Sequence, residues 1–414
     1  MKLPDGWKEN RLKDIAVHKT AKNKDLKYTE TYTNSATLGI VRQMDYFDKE
    51  ISNKENIAGY YIVEEGDYVY NPRISASAPC GPIRKSHIKE TGIMSPLYTV
   101  FKITEKNLSD DYLEQYFKST FWHSYMKTVA NYGARYDRMN ITTEDFFNIP
   151  IPFPPLAEQQ KIAEILCKQD RIISLKQKLL EQKLQQKKWL MQKLLEVPHT
   201  NVNCEEKISL GGVVINKSGW KKERIKDVST KIIAGATPST KIKDFWNGNI
   251  SWMSSGEINK RIIFETEVKI SQLGYESCST KIVPPKSVLI ALAGQGKTRG
   301  MVAVNEIALC TNQSLASVIP KNIDYKFLFY FLDSKYSDLR MISSGDGSRG
   351  GLNLEIISNY EIYLPTLPEQ KIISQVFSAA DKEIALIKSS IEQEKQKKKS
   401  LAQLLLTGTV RVKI

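Results

Sequence analysis

Gly294-Gln295-Gly296-Lys297-Thr298 has the ending of a phosphate-binding loop, in which backbone N–H groups and a lysine cradle a nucleotide. That chemistry needs a glycine at position 291, which is Ala291, and a helix next, whose N-terminus would face phosphate. Arg299-Gly300-Met301-Val302-Ala303-Val304 reads instead as a strand, so ATP binding is not expected. The loop suits a nucleic-acid duplex better. Gln295 offers an amide to base edges, while Lys297, Thr298 and Arg299 offer cations and a hydroxyl to phosphates.

Tyr70-Asn71-Pro72-Arg73 shares its Asn-Pro with the Asn-Pro-Pro-aromatic motif of adenine methyltransferases. Arg73 replaces the second proline, Ile74 replaces the aromatic, and no glycine-rich strand–turn–helix for S-adenosylmethionine precedes it. It reads as a polar turn, either a DNA-facing one with Arg73 as a contact or a plain surface turn. No nucleophile–base pair or nuclease-type carboxylate cluster stands out, so no catalytic residue is assigned. The five cysteines include no CxxC spacing and the four histidines are scattered, so no metal site is expected and the thiols read as reduced, in a cytoplasmic protein. The start, Met1-Lys2-Leu3-Pro4-Asp5, has no apolar leader character, and no run of 18 apolar residues predicts a membrane span.

The formal net charge of +14 favours a polyanionic partner. Duplex recognition needs cations for phosphate and amide or guanidinium groups for bases. The candidates are Asn71, Arg73, Arg84, Lys85, Tyr132, Arg135 and Arg138 in the first half of the chain. In the second half they are Thr237, Ser239, Lys241, Gln295, Lys297, Arg299, Ser344 and Arg349.

What must position these residues is a repeat. Gly6-Trp7-Lys8 and Arg11-Leu12-Lys13-Asp14-Ile15 return 213 positions on as Gly219-Trp220-Lys221 and Arg224-Ile225-Lys226-Asp227-Val228. Pro154, Leu156, Glu158 and Gln159 return 211 positions on as Pro365, Leu367, Glu369 and Gln370. The stretches between, about residues 17–140 and 230–351, match poorly. The unit is therefore a similar frame around a divergent insert, two heads doing one job on different targets.

Each unit ends in a long helical pattern. Thr366 and Glu369 have capping-box spacing, with Pro368 in the first turn. Ile373, Phe377, Ala380, Ile384, Ile387, Ile391, Leu401 and Leu405 then form a heptad seam, interrupted by Glu394 and Lys398. The first copy reads Ile162, Leu166, Gln169, Ile173, Lys176, Leu180, Lys183, Lys187, Leu190 and Leu194, interrupted at matching places. About 40 residues of helix span ~60 Å. Shared register and shared interruptions favour pairing of the two helices over two separate surface helices.

Within the inserts, residues 65–70, 98–103, 285–290 and 315–319 read as turn-strand or strand, and 112–124 and 325–332 as helices. Residues 197–218, polar and carrying Gly211-Gly212, read as a linker.

This layout resembles the specificity (S) subunit of type I restriction-modification systems over nearly the whole chain. The resemblance rests on the Gly-Trp starts, the Pro-x-Leu-x-Glu-Gln helix entries and the ending Leu405-Leu406-Thr407-Gly408. It rests also on Gly235-Ala236-Thr237-Pro238-Ser239 followed by Ile250-Ser251-Trp252. It implies a mixed α/β (α+β) fold with a pseudo-twofold repeat: two target-recognition domains joined by two long antiparallel coiled-coil helices. The expected boundaries are domain 1 at 1–153, helix 1 at 154–196, linker 197–218, domain 2 at 219–364, helix 2 at 365–408, and a tail, 409–414, near the N-terminus. The first helix departs from the pattern, ending Leu194-Leu195-Glu196-Val197-Pro198 without Thr-Gly.

The resemblance further implies that each head reads one half of a split, asymmetric target in double-stranded DNA. The helices would set the spacer and dock two modification (methyltransferase) subunits, which restriction (motor and nuclease) subunits join. No cofactor is expected in this chain; S-adenosylmethionine, ATP and Mg belong to those partners. The competing readings are a stand-alone DNA methyltransferase or nuclease component, and a coiled-coil scaffold.

Overall fold

The computed structural model describes residues 3–47, 54–131, 137–196, 207–210, 212–294, 297–342 and 351–414. The chain divides into two compact units, Met1–Lys178 with Ser389–Ile414, and Leu179–Lys388. Each long helix, Leu156–Leu195 and Leu367–Leu406, gives part of its length to each unit.

In the first unit the strand Lys8–Arg11 pairs antiparallel with Pro150–Phe153, Lys8 opposite Phe153. The chain then enters a four-stranded antiparallel sheet in the order Ala16–His18, Thr99–Ile103, Tyr68–Tyr70, Ile83–Lys85. Tyr68 stacks on Phe101 with ring centres 5.4 Å apart, and Phe117 and Phe146 meet Phe101 edge-on, an arrangement aromatic quadrupoles favour. The helix Asp110–Lys118 starts at Ser109, whose hydroxyl accepts from the Tyr112 N–H. The sequence reads one helix from Tyr112 to Ser124; the structure breaks it, with a second helix at His123–Val129. The Trp122 indole N–H donates to the carbonyls of Phe117 and Ser119, satisfying last-turn acceptors and closing the first helix.

The second unit repeats this plan. Lys221–Arg224 pairs with Glu361–Leu364, with Lys221 opposite Leu364. Its main sheet runs Ser229–Ala234, Leu315–Pro320, Ser287–Ala291, Val302–Asn305, Ile262–Ile263. The first four strands follow the order of the first unit's sheet. The repeat therefore continues into the inserts, where the sequences no longer match, because a buried strand requires apolar character and not particular residues. The surroundings differ. The second unit adds a sheet of Val268–Ile270, Trp246–Met253 and Cys310–Thr311, while the first carries the pairs Tyr32–Ser35 with Gly39–Arg42 and Tyr61–Val63 with Gly92–Met94. Inside the stretch read as a linker, Lys207–Leu210 and Val213–Asn216 form a hairpin that buries Ile215 in the second unit's core. The described cysteines are free thiols.

Within each unit, segments of both helices pack antiparallel, and the polar seam positions become cross-helix bonds. In the first unit Lys398 pairs with Asp170 at 2.6 Å, Lys176 with Glu394 at 2.7 Å, and Gln169 donates to Glu394. In the second, Lys183 pairs with Glu383 at 2.8 Å and Lys187 with Asp381. The seam residues divide by role. Ile162, Leu166 and Leu405 are buried in the first unit's core, and Leu194, Ile373 and Phe377 in the second's, so these join head to helices rather than helix to helix alone. Ile384 and Ile391 are buried, and Ile173, Leu180, Leu190, Ile387 and Leu401 half-buried.

The Glu-Gln of each helix entry explains the repeated motif. Buried Gln159 accepts from the Ser109 N–H at 2.8 Å and donates to the carbonyls of Asn107 and Pro154. Gln370 repeats this with the Asp324 N–H and the Pro365 carbonyl. Both carboxamides thus tie a long helix to the N-cap of its head's helix; Asp324 caps Tyr325–Ser334. One turn and more along, Gln115 donates to Asp170, and the Tyr330 hydroxyl donates to Asp381.

The glutamates differ between copies. Glu158 receives the Trp7 indole at 3.0 Å and the tail's Arg411 at 2.6 and 2.8 Å, and Arg411 also donates to the Asp5 carbonyl. Glu369 instead accepts from the Asn216 N–H, and from Thr366 as the capping-box spacing requires, leaving the buried Trp220 indole without a partner among the described residues.

Two outcomes follow. Gln159→Leu removes the partner of one part-buried N–H and of the buried Pro154 carbonyl, and is expected to cost about 1–3 kcal/mol in denaturant unfolding. Burial alone would raise the Asp170 pKa, but the bonds from Lys398 and Gln115 outweigh it and hold the carboxyl below its ordinary 3.8. Its contribution to stability is therefore present above pH 3.8 and lost as pH falls through the depressed value. Acid titration followed by circular dichroism is expected to show wild type losing helicity more steeply below that pH than Asp170→Asn.

Candidate nucleic-acid interface

Antiparallel pairing brings particular loops to one end of each head's sheet. In the first unit Tyr70 lies opposite both Ile83 and Thr99, so the loop from Asn71 to Pro82 leaves this end. In the second, Ile290 lies opposite both Val302 and Ala316, and Ala234 also faces Ala316. The loops starting at Leu292, at Gly235 and at Asn312 therefore emerge together. Loops 71–82 and 292–301 occupy equivalent places in the two sheets.

In the first head, Ile74 N–H donates to the Asp137 carbonyl and Met139 N–H to the Pro72 carbonyl, with Arg73 bridged to Arg138. Arg73 is exposed; Arg138 is half-buried, its Nε 3.6 Å from Asp137. The backbone bridge places these two residues side by side, and Arg73 is open to solvent. Asn71 is corrected. It is buried, its amide donates to the Asn34 carbonyl at 2.9 Å, and its oxygen accepts from the Arg73 N–H at 3.0 Å. Asn71 shapes the turn that presents Arg73. Arg84 and Lys85 lie further along their strand. The Arg84 guanidinium donates to the carbonyls of Ile83 and Ala36, and burial lowers its pKa. Lys85, opposite Tyr68, pairs with Asp110 at 3.1 Å. Neither joins Arg73 at the sheet end. Tyr132 and Arg135 fall outside the described residues.

The second head builds its end differently. The Trp252 indole donates to the Ala236 carbonyl at 3.0 Å and the Trp246 indole to the Ser239 carbonyl at 3.1 Å, the two rings edge-to-face at 5.3 Å. This pair fastens the Gly-Ala-Thr-Pro-Ser segment to the strand beneath it. Gly235 passes so close to Thr311 that a Cβ would sit 1.8 Å from its carbonyl oxygen. The Thr237 hydroxyl donates to Gln313 at 2.7 Å, and Ser239 and Lys241 are exposed beyond it. Lys297 is exposed, its carbonyl held by the Tyr336 hydroxyl at 2.7 Å, and Arg299 is half-buried in the same turn. No helix follows Lys297: a turn with Gly300 at φ 82° leads into the strand Val302–Asn305, which is incompatible with a nucleotide-binding loop. Gln295, Ser344 and Arg349 lie outside the described residues. Sequence reading passed over Gln313, because Asn312-Gln313-Ser314 looks like an ordinary polar turn until the sheet places it beside Thr237.

Among the described residues no group of three or more His, Cys, Asp or Glu could hold a metal, and no helix is long and apolar enough to cross a membrane. Burial raises the pKa values of Tyr68 and Tyr112, which serve the core.

The family model for the type I restriction modification DNA specificity domain matches residues 4–185 and again 217–396. The chain belongs to that family. It is 25% identical over 431 residues to the type I restriction enzyme MjaVIII specificity subunit of Methanocaldococcus jannaschii, covering 100% of this chain and 95% of that protein. It is 29% identical over 192 residues to the MjaIX specificity subunit of the same organism, covering 45% of this chain and 42% of that one. The fold is shared with a chain from a study of type I system assembly and conformational transition, at TM-score 0.63 and 16% identity over 99% of this chain and all of the other. It is shared also with the S subunit of M. genitalium, at TM-score 0.58 and 14% identity over 98% of each. Type I specificity subunits bind DNA and assemble with modification and restriction subunits.

Arg73→Ala is expected to weaken duplex binding by the full chain and to reduce the slope of log affinity against log salt by about 1, as loss of one phosphate contact does. Salt-titrated fluorescence anisotropy measures both.

Proposed function

We propose that this chain is the non-catalytic recognition subunit of a type I restriction-modification complex, each head reading one half of a split DNA target. The observation that carries the reading is the repetition of one sheet topology with unlike loops at the same end: Arg73 and Arg138 in one head, Thr237, Ser239, Lys241, Lys297 and Arg299 in the other. One scaffold with two chemistries suits an asymmetric target and not a palindrome. In this reading residues 1–153 and 219–364 are the target-recognition domains, 154–196 and 365–408 the spacer helices, 197–218 a linker and 409–414 a closing tail. The helices set the spacing of the half-sites and dock two modification subunits. Adenine methylation with S-adenosylmethionine, and ATP- and Mg-dependent translocation and cleavage, reside in the partner subunits, and the complex works in the cytoplasm.

Footprinting of the chain with its modification partner is expected to show two protected half-sites separated by an unread gap; one continuous footprint would contradict it. Equilibrium dialysis of this chain alone with labelled S-adenosylmethionine is expected to show no binding, whereas stoichiometric binding would favour a methyltransferase. Deleting one heptad from each long helix at matched positions is expected to shorten the preferred gap by about 3 base pairs, since seven helical residues span ~10 Å. A coiled-coil scaffold would leave DNA preference untouched.

A further inference from the structure

Gln313 sits at the tip of the turn between the strands Cys310–Thr311 and Leu315–Pro320, at the sheet end where the segments beginning at Gly235 and Leu292 also leave their strands. Its side chain is exposed, yet its orientation is set. The Thr237 hydroxyl donates to its Oε1 at 2.7 Å, occupying one of the two lone pairs on that oxygen. The remaining lone pair and both Nε2 hydrogens have no partner among the described residues. Thr237 is itself held, because the flanking carbonyls of Ala236 and Ser239 are pinned by the indoles of Trp252 and Trp246. Gly235 lets this segment run against Thr311, two residues before Gln313. The backbone beneath Gln313 is fixed too: the Ser314 N–H donates to Asn312 Oδ1, and the Leu292 N–H to the Ser314 carbonyl. Two tryptophans, a glycine and a threonine therefore fix one exposed carboxamide, far more support than a solvated glutamine requires.

A carboxamide presenting one acceptor and one donor side by side matches adenine in the major groove, whose N6–H donates and whose N7 accepts. Guanine presents two acceptors there and would leave Oε1 facing O6 or N7. We propose that Gln313, oriented by Thr237, is the side chain with which the second head reads an adenine in its half-site. The proposal rests on the DNA-recognition reading above. Thr237 is the positioning residue, fixing which end of the amide is the acceptor.

The test is selection of bound duplexes from a pool with both half-sites randomised, using the full chain with its modification partner. Wild type is expected to select an A·T pair at one position of one half-site. Gln313→Ala should make that position degenerate and leave the rest unchanged. Gln313→Glu should move the preference to C·G, because a carboxylate accepts from cytosine N4 and cannot donate to N7. Thr237→Val should weaken the same preference without moving it. A second readout replaces the selected adenine with 7-deazaadenine, which removes N7 alone. Wild-type affinity should fall about 5- to 100-fold, the range of one specific base contact, and Gln313→Ala should be indifferent. Unchanged preferences in Gln313→Ala, or a change confined to a G·C position, would overturn the assignment while leaving DNA reading intact. Failure of wild type to select any split sequence would overturn the recognition reading itself.

Discussion

A buried carboxamide with its polar atoms committed fixes where a long helix begins, and the rest of this molecule depends on that. Gln159 and Gln370 each bond a backbone N–H of the head and the proline carbonyl that precedes the helix. An amide cannot trade these partners for others without leaving a donor or acceptor stranded in the core. The rotation of each helix is then set, and with it the placement of Asp170 and Asp381. Each of these receives a bond from the head, Gln115 or Tyr330, and a lysine from the facing helix. Head and helix pair are joined through the same carboxylate in each copy.

The copies are not equivalent at the adjacent glutamate. Glu158 gathers the Trp7 indole and the tail's Arg411, whereas Glu369 turns to the backbone of Asn216 and to Thr366. A C-terminal residue completes the frame of the first copy, and the residues just before Gly219-Trp220 complete the second. The frame is thus a repeat in sequence and topology with different closures, and the two offsets, 213 and 211, differ because the stretch between the frame blocks is two residues shorter in the second copy.

Much of this was legible in the sequence. The heptad seam follows from the spacing of apolar residues, and the lysines that interrupt it proved to pair with carboxylates of the facing helix. The strands at 68–70, 99–103, 287–291 and 315–320 follow from short apolar runs beside turns. What stayed hidden was non-local. The sheet order shared by the two heads has no residue-level signature, since Tyr68-Val69-Tyr70 and Ser287-Val288-Leu289-Ile290-Ala291 satisfy the same buried position with different side chains. The hairpin inside 207–216 was concealed by its polar flanks. Asn71 stands out by type and turn context, but its burial and its bonds to Asn34 and Arg73, which tie it into the loop, have no local signature in the sequence. Gln313 was silent for the opposite reason, since its environment is assembled from residues up to 78 positions away in the chain.

In the proposed reading, the heads separate scaffold from reading surface. Sheet, helix and frame are alike, and the loops at one end carry different polar groups, an arrangement in which targets could diverge without disturbing the fold. The central claim, that this chain chooses an asymmetric split site at which partners act, is tested most directly by mapping adenine methylation across the genome of a host with and without the gene. The account expects a two-part motif with unlike halves and a fixed gap, methylated only when the gene is present. Methylation unchanged by its loss, or confined to an uninterrupted palindrome, would contradict it.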